Sequence, residues 1–121
     1  MRLTHLITLS LISLVAACAS AEKRAENRAE YIEKYLTDPA DRKGIELFYP
    51  LKRSMQVIYY PDEISFDQMI QQMSSHCARF SGEGTLELPR LDKDNGMEEI
   101  DVPGRPKRQG RSVWLSCDKE S

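Results

Sequence analysis

The stretch Ile64 to Gly82 constrains the fold more than any other in this 121-residue chain. Ser65 stands where an N-cap belongs, and Gln68, three residues on, completes a capping box. Ile64 and Met69 occupy the N′ and N4 positions of a hydrophobic staple. Phe66, Met69, Ile70, Met73, Cys77 and Phe80 then recur at helical spacing. The segment therefore predicts an amphipathic helix with one apolar stripe, stopped at Gly82. A single stripe must be buried against a second layer, so the rest of the chain has to supply one.

The flanking segments supply strands. Met55 to Tyr60 is rich in β-formers and apolar on both faces, which predicts a central strand closed by Pro61-Asp62. Ile45 to Tyr49 reads as a strand or a turn of helix, ended by Pro50. After Gly84, Thr85 to Leu88 alternates, Asp94-Asn95-Gly96 signals a turn, and Met97 to Val102 alternates weakly. Pro103 to Gly110 is a loop punctuated by Pro and Gly. Arg111 to Cys117 is the last strand, with Val113, Leu115 and Cys117 on one face and Trp114 on the other. The expectation is α+β: an N-terminal helix, then a small antiparallel sheet packed on one amphipathic helix. No internal repeat is visible.

The N-terminus reads differently. Met1-Arg2 is positive, and Leu6 to Ala17 is an apolar run of twelve residues, too short to span a bilayer and suited to a signal-peptide core. It ends in Val15-Ala16-Ala17-Cys18. This tetrapeptide resembles the lipobox of bacterial lipoproteins, in which small residues precede a cysteine whose thiol takes a diacylglycerol; Val15 stands in place of the commoner Leu. The resemblance covers the export signal alone. It implies cleavage before Cys18, acylation of Cys18, and, with the small neutral Ala19 next in line, sorting to the outer membrane on its periplasmic side. Two other readings stay open: ordinary secretion with cleavage after Ala19-Ser20-Ala21, and an uncleaved anchor. On the lipoprotein reading the chain divides into a signal peptide (1–17), a lipidated N-terminus and helical spacer (18–43), and a small stapled domain (44–121).

That resemblance also accounts for an odd number of cysteines. An acylated Cys18 leaves Cys77 and Cys117, which pair in an oxidising periplasm; the chain-entropy model gives such a bond about 4 kcal/mol. Thiol catalysis lacks a CxxC motif, and His76, adjacent to Cys77 on a helix, points elsewhere. Glu22 to Leu36 reads as the charged spacer helix, with Ala25, Ala29, Ile32 and Leu36 at helical spacing and Glu30–Lys34 as an i,i+4 pair. It either stands in solvent or docks against a partner helix. Asp38-Pro39 opens a short turn that stops at Gly44.

Charge narrows the partners. The chain has 17 Lys and Arg against 19 Asp and Glu, and losing Arg2 with the signal leaves 16 against 19. A mild acidic excess argues against nucleic acid. The basic loop of Arg105, Lys107, Arg108 and Arg111 is the candidate interaction surface, extended by Trp114, and by Tyr59 and Tyr60 if these are exposed. It would meet an anionic envelope component, an acidic partner protein, or the acidic hairpin of its own chain; the alternative is a mobile, soluble loop. Asp92, Asp94, Glu98, Glu99 and Asp101 could offer paired carboxylates for polysaccharide hydrolysis, but a solvated acidic turn explains them as well. His76 reads as a helix-edge side chain favoured there by the helix dipole. Phosphate-loop, dinucleotide, zinc and nucleophile-elbow spacings are absent, so neither a cofactor nor a metal is expected. The sequence thus points to a non-enzymatic envelope lipoprotein, attached to the membrane through Cys18 and acting as an accessory subunit for another envelope protein. The alternative is a periplasmic binding or inhibitor module for a small ligand, glycan or hydrolase.

Overall fold

A computed structural model describes residues 22–119. Helix α1 covers residues 22–35 and is followed by a 3-10 turn, Pro39–Arg42, capped by Asp38 Oδ1, which accepts from the Ala40 amide at 3.0 Å. Then come β1 (Ile45–Leu51), β2 (Ser54–Tyr59), α2 (Phe66–Gln72), α3 (Ser74–Cys77), β3 (Thr85–Ile100) and β4 (Arg108–Asp118). The four strands form one antiparallel sheet in the order β1-β2-β4-β3. The mixed α+β architecture is the one expected.

The core follows from strand alternation. Met55, Val57 and Tyr59 on β2 and Val113, Leu115 and Cys117 on β4 lie on one face of the sheet and are fully buried, with Met55 opposite Leu115 and Val57 opposite Val113. Against them pack Met69, Met73 and Cys77 from the predicted stripe. Each such side chain contributes roughly 1.5–3 kcal/mol by leaving water. Both capping-box bonds form: the Gln68 amide donates to Ser65 Oγ at 3.1 Å and the Ser65 amide donates to Gln68 Oε1 at 2.9 Å. Ile64 and Met69 are buried together, as the staple requires. The helix does not run on to Gly82. It breaks at Met73 and resumes for one turn, because Met73 has ψ near −5° and the His76 amide closes a three-residue bond to its carbonyl.

Two strand boundaries differ from expectation. Pro50 does not end β1; it sits inside the strand opposite Met55. An edge strand tolerates it, because its missing N–H need face no neighbour. The β1–β2 turn is Lys52-Arg53, and Lys52 takes a positive φ of 55° with neither Gly nor Asn to signal it. The second correction is larger. Asp94-Asn95-Gly96 is not a hairpin turn; β3 continues through it to Ile100. Asp94 faces Val113 and Gly96 faces Ser112, leaving Asn95 as the extra residue of a bulge. Gly96 has φ 80°, and its amide donates to Asp94 Oδ1 at 2.9 Å. The same local chemistry that makes a turn here makes a kink. The chain reverses later, where the Arg105 amide bonds the Val102 carbonyl at 3.1 Å, and β4 starts at Arg108 rather than Arg111.

Helix α1 does not stand clear of the domain. Leu36 is fully buried in the main core, with Ile32 and Tyr35 packed on it, while Ala25 packs on a second cluster of Ile58, Tyr60, Ile100 and Val102. Arginines satisfy carbonyls at the end of the helix: Arg42 Nε donates to Leu36 O at 2.6 Å and Arg79 Nη2 to Tyr35 O.

Candidate interaction surface

Each arginine and lysine of the predicted basic loop meets a carboxylate of its own chain. Arg105 Nη2 donates to Glu46 Oε1 at 2.7 Å. Lys107 Nζ lies 3.6 Å from Glu99 Oε1, with both side chains exposed. Arg108 bridges Asp62 at 2.9 Å and Glu63 at 3.1 Å, and its guanidinium covers the Tyr60 ring at 3.6 Å. Arg111 pairs with Asp94 through Nη2. The acidic stretch expected as a partner supplies Glu99 and Asp94, whereas Arg105 and Arg108 pair with Glu46, Asp62 and Glu63 from elsewhere in the chain. Exposed pairs of this kind are worth little individually, so a stronger anionic partner could displace Lys107 or Arg108.

The Arg105 pair is different in kind. Glu46 is only 9% exposed, and besides Arg105 it accepts from Tyr60 Oη at 3.1 Å and lies 3.9 Å from Arg28 Nη1. Tyr60 is buried as well, and burial together with Glu46 raises its pKa to about 12. Tyr59 and Tyr60 are therefore interior side chains, not extensions of the surface. The centre of the network, Glu46, was not picked out from the sequence. Its one signal is a carboxylate between two apolar residues, Ile45 and Leu47, at what proves to be a register shift of β1.

Trp114 lies half-buried on the sheet face that carries neither α2 nor α3, with Gln56 and Lys93 as its cross-strand neighbours. Ser112 is buried beside it and accepts from Gln56 Nε2 at 3.3 Å and Asn95 Nδ2 at 3.4 Å. Tyr49 and Leu51 of β1, both well exposed, alternate onto this same face.

Of the carboxylates considered for hydrolysis, Asp94 and Asp92 are engaged by arginines of their own chain. The Arg111 guanidinium, then the Gly96 amide, hold the Asp94 carboxyl below the usual range, whereas a general acid needs a raised value. Asp92 is bonded by Arg90 at 3.3 Å. Among the described residues no three His, Cys, Asp or Glu side chains cluster closely enough to hold a metal ion.

Cys77 and Cys117 form a disulfide, with S–S 2.09 Å and Cα–Cα 5.3 Å, clamping α3 onto β4. Cys18 lies outside the described residues. Beside the disulfide is an open cleft of about 380 Å3 lined by Ser74, Cys77, Phe80, Thr85 and Leu86.

His76 corrects its sequence reading. It is not at the helix edge but buried, with its ring edge-on to Phe48 at 5.4 Å and to Phe80 at 5.2 Å. Its Nε2 lies 3.0 Å from the Lys52 carbonyl, and Nδ1 has no partner. Burial, helped by Arg79, lowers its pKa below 6.5, and the Lys52 bond offsets this only in part. The unfolded chain therefore takes up a proton near pH 6.5, where the native chain still refuses one. Stability is full above that pH and falls as pH drops from 6.5 towards the depressed native value, by up to about 1.4 kcal/mol per pH unit. Urea titrations between pH 7.5 and 4.5 should show this slope in the wild type and a flatter profile in His76→Gln; equal slopes would refute the assignment.

Comparison of the chain with known protein families, curated proteins and solved structures finds no significant match.

Proposed function

We propose that the protein is an exported bacterial lipoprotein, anchored through Cys18 on the periplasmic side of the outer membrane, and that it serves without catalysis as an accessory subunit binding another envelope component. The observation that carries the reading is the disulfide. Of three cysteines, the two that bond are the two that an acylated Cys18 would leave over. A structural disulfide belongs to an oxidising compartment, which is where the Leu6 to Ala17 segment and the Val15-Ala16-Ala17-Cys18 tetrapeptide would deliver the chain. The role as a binding subunit is supported by the half-open sheet face around Trp114, Tyr49 and Leu51.

The intact mass of protein purified from membranes, with and without reductant and thiol alkylation, tests the address. The expected species starts at Cys18, carries acyl chains, and exposes two further thiols only after reduction. An unacylated chain starting at Glu22 would overturn the anchor. Crosslinking on membranes, followed by partner identification, tests the role; repeated recovery of the protein alone would count against it. A second reading, a small-ligand or inhibitor module, is favoured by the cleft beside the disulfide, whose volume falls in the range of ligand sites. It predicts a protein that binds its ligand equally well when freed from the membrane.

A further inference from the structure

Helix α1 sorts its side chains into three sectors. At about 100° per residue, Ala25, Ala29, Ile32 and Leu36 share one sector, of which Ala25, Ile32 and Leu36 pack on the domain. Glu22, Glu26, Glu30 and Glu33, every acid of residues 22–35, fall together in a second. Lys23, Arg24, Arg28 and Lys34, every cation of the same stretch, fall in the third, together with Tyr31 and Tyr35. An exposed helix held only by its own ion pairs would interleave the two signs at i,i+4 spacing. This helix has Glu30–Lys34 as its one such i,i+4 pair and otherwise separates the signs around its circumference.

The cationic sector continues onto the sheet. The Tyr31 ring stacks on Tyr49 at 6.3 Å and lies 5.2 Å from Tyr35. Lys34 and Arg79 cover Tyr35 at 5.4 and 5.5 Å. Arg28, Tyr31, Leu47 and Tyr49 line an apolar hollow of about 180 Å3. Tyr31 and Tyr49 are well exposed, as is Leu51 farther along β1. Tyrosines with apolar neighbours and a rim of Arg and Lys suit the boundary between water and a lipid bilayer. There the rings sit at headgroup level and the cations reach the phosphates.

Chain length selects this occupant over others. Four residues lead from Cys18 to residue 22, a reach of at most about 14 Å. An acylated Cys18 keeps the start of α1 that close to the bilayer, and α1 is itself about 21 Å long. We propose that Arg24, Tyr31 and Lys34 with the adjoining Tyr49 are the membrane-facing surface, laying α1 along anionic phospholipid headgroups while the acidic sector turns away and Arg28 stays beside Glu46. The inference rests on the Cys18 anchor.

The test uses full-length protein purified from membranes, with acylation of Cys18 checked by intact mass. It is reconstituted into vesicles of phosphatidylcholine alone or with phosphatidylglycerol added, and hydroxyl-radical modification is read at each tyrosine. Since an anionic leaflet attracts each basic side chain held near it, Tyr31 and Tyr49 should react severalfold more slowly in the anionic vesicles. The Arg24→Glu/Lys34→Glu variant should lose that protection; both side chains are exposed, so the fold is spared. Equal rates in the two kinds of vesicle overturn the proposal. Protection that persists in detergent with a copurified protein also overturns it and gives the sector to a protein partner. A chain without acyl groups overturns the anchor, and the present proposal with it.

Discussion

Replacing Cys77 and Cys117 together by alanine is expected to cost about 4 kcal/mol of folding stability. The bond closes a loop of sequence separation 40, and cutting it frees the unfolded chain to sample conformations the loop forbids. Small domains have only about 5–15 kcal/mol in all, so the loss takes a large part of the reserve. Alanine is the right substitution because both cysteines are buried; serine would add an unsatisfied hydroxyl and confuse the result. Urea denaturation should show a much lower midpoint, with a steeper slope because the unfolded chain is more expanded. Wild-type protein under reductant should match the variant closely. A loss below about 1 kcal/mol would mean that the sheet–helix core carries the fold without the clamp. With its thiols reduced, the domain would be marginal, and it would gain full stability only where the bond can form.

What the sequence revealed and what it concealed divide along one physical line. The capped helix was legible because a capping box and a staple are made by residues within five positions of each other. The buried face of β4 was legible because strand alternation has a fixed period. Asp94-Asn95-Gly96 misled because its local chemistry, a side-chain bond to a nearby amide and a glycine at positive φ, serves a bulge and a hairpin equally. Only pairing with β4, more than fifteen residues away, decides between them. Pro50 misled for a related reason, since only its place on the sheet edge makes it acceptable in a strand. Among the candidate surface residues, the cations of the basic loop are close in sequence, but their carboxylate partners come from β1, from the segment before α2 and from β3. Glu46, Asp62 and Asp94 are separated from them by 59, 46 and 17 residues. His76 shows the same limit. Helical position placed it near a C-terminus, and the tertiary contact with Phe48 put it in the interior.

Phe48→Ala is expected to destabilise the domain by about 3–5 kcal/mol and to loosen His76 at the same time. Phe48 is 2% exposed and points from the edge strand β1 into the main core, opposite Val57. Its ring meets His76 edge-on at 5.4 Å and Tyr35 at 6.2 Å, so truncation removes one wall of the histidine site as well as apolar area. Water then gains access to His76 Nδ1, which lacks a partner in the native chain. The desolvation that depresses the pKa weakens, and the value moves back towards 6.5. Two readouts follow from one substitution: a lower urea midpoint and a histidine resonance that titrates at higher pH. The chain has two histidines, His5 and His76, so the resonance is assigned by its loss in His76→Gln. Tyr49→Ala is the control. Tyr49, next to Phe48 on the same strand, faces the opposite side and is half exposed, so its loss should stay within about 1 kcal/mol and leave the His76 titration unchanged. If Phe48→Ala lowers stability without moving that titration, another group than Phe48 seals the histidine, and Phe80, whose ring also meets the imidazole edge-on at 5.2 Å, becomes the residue that holds it dry.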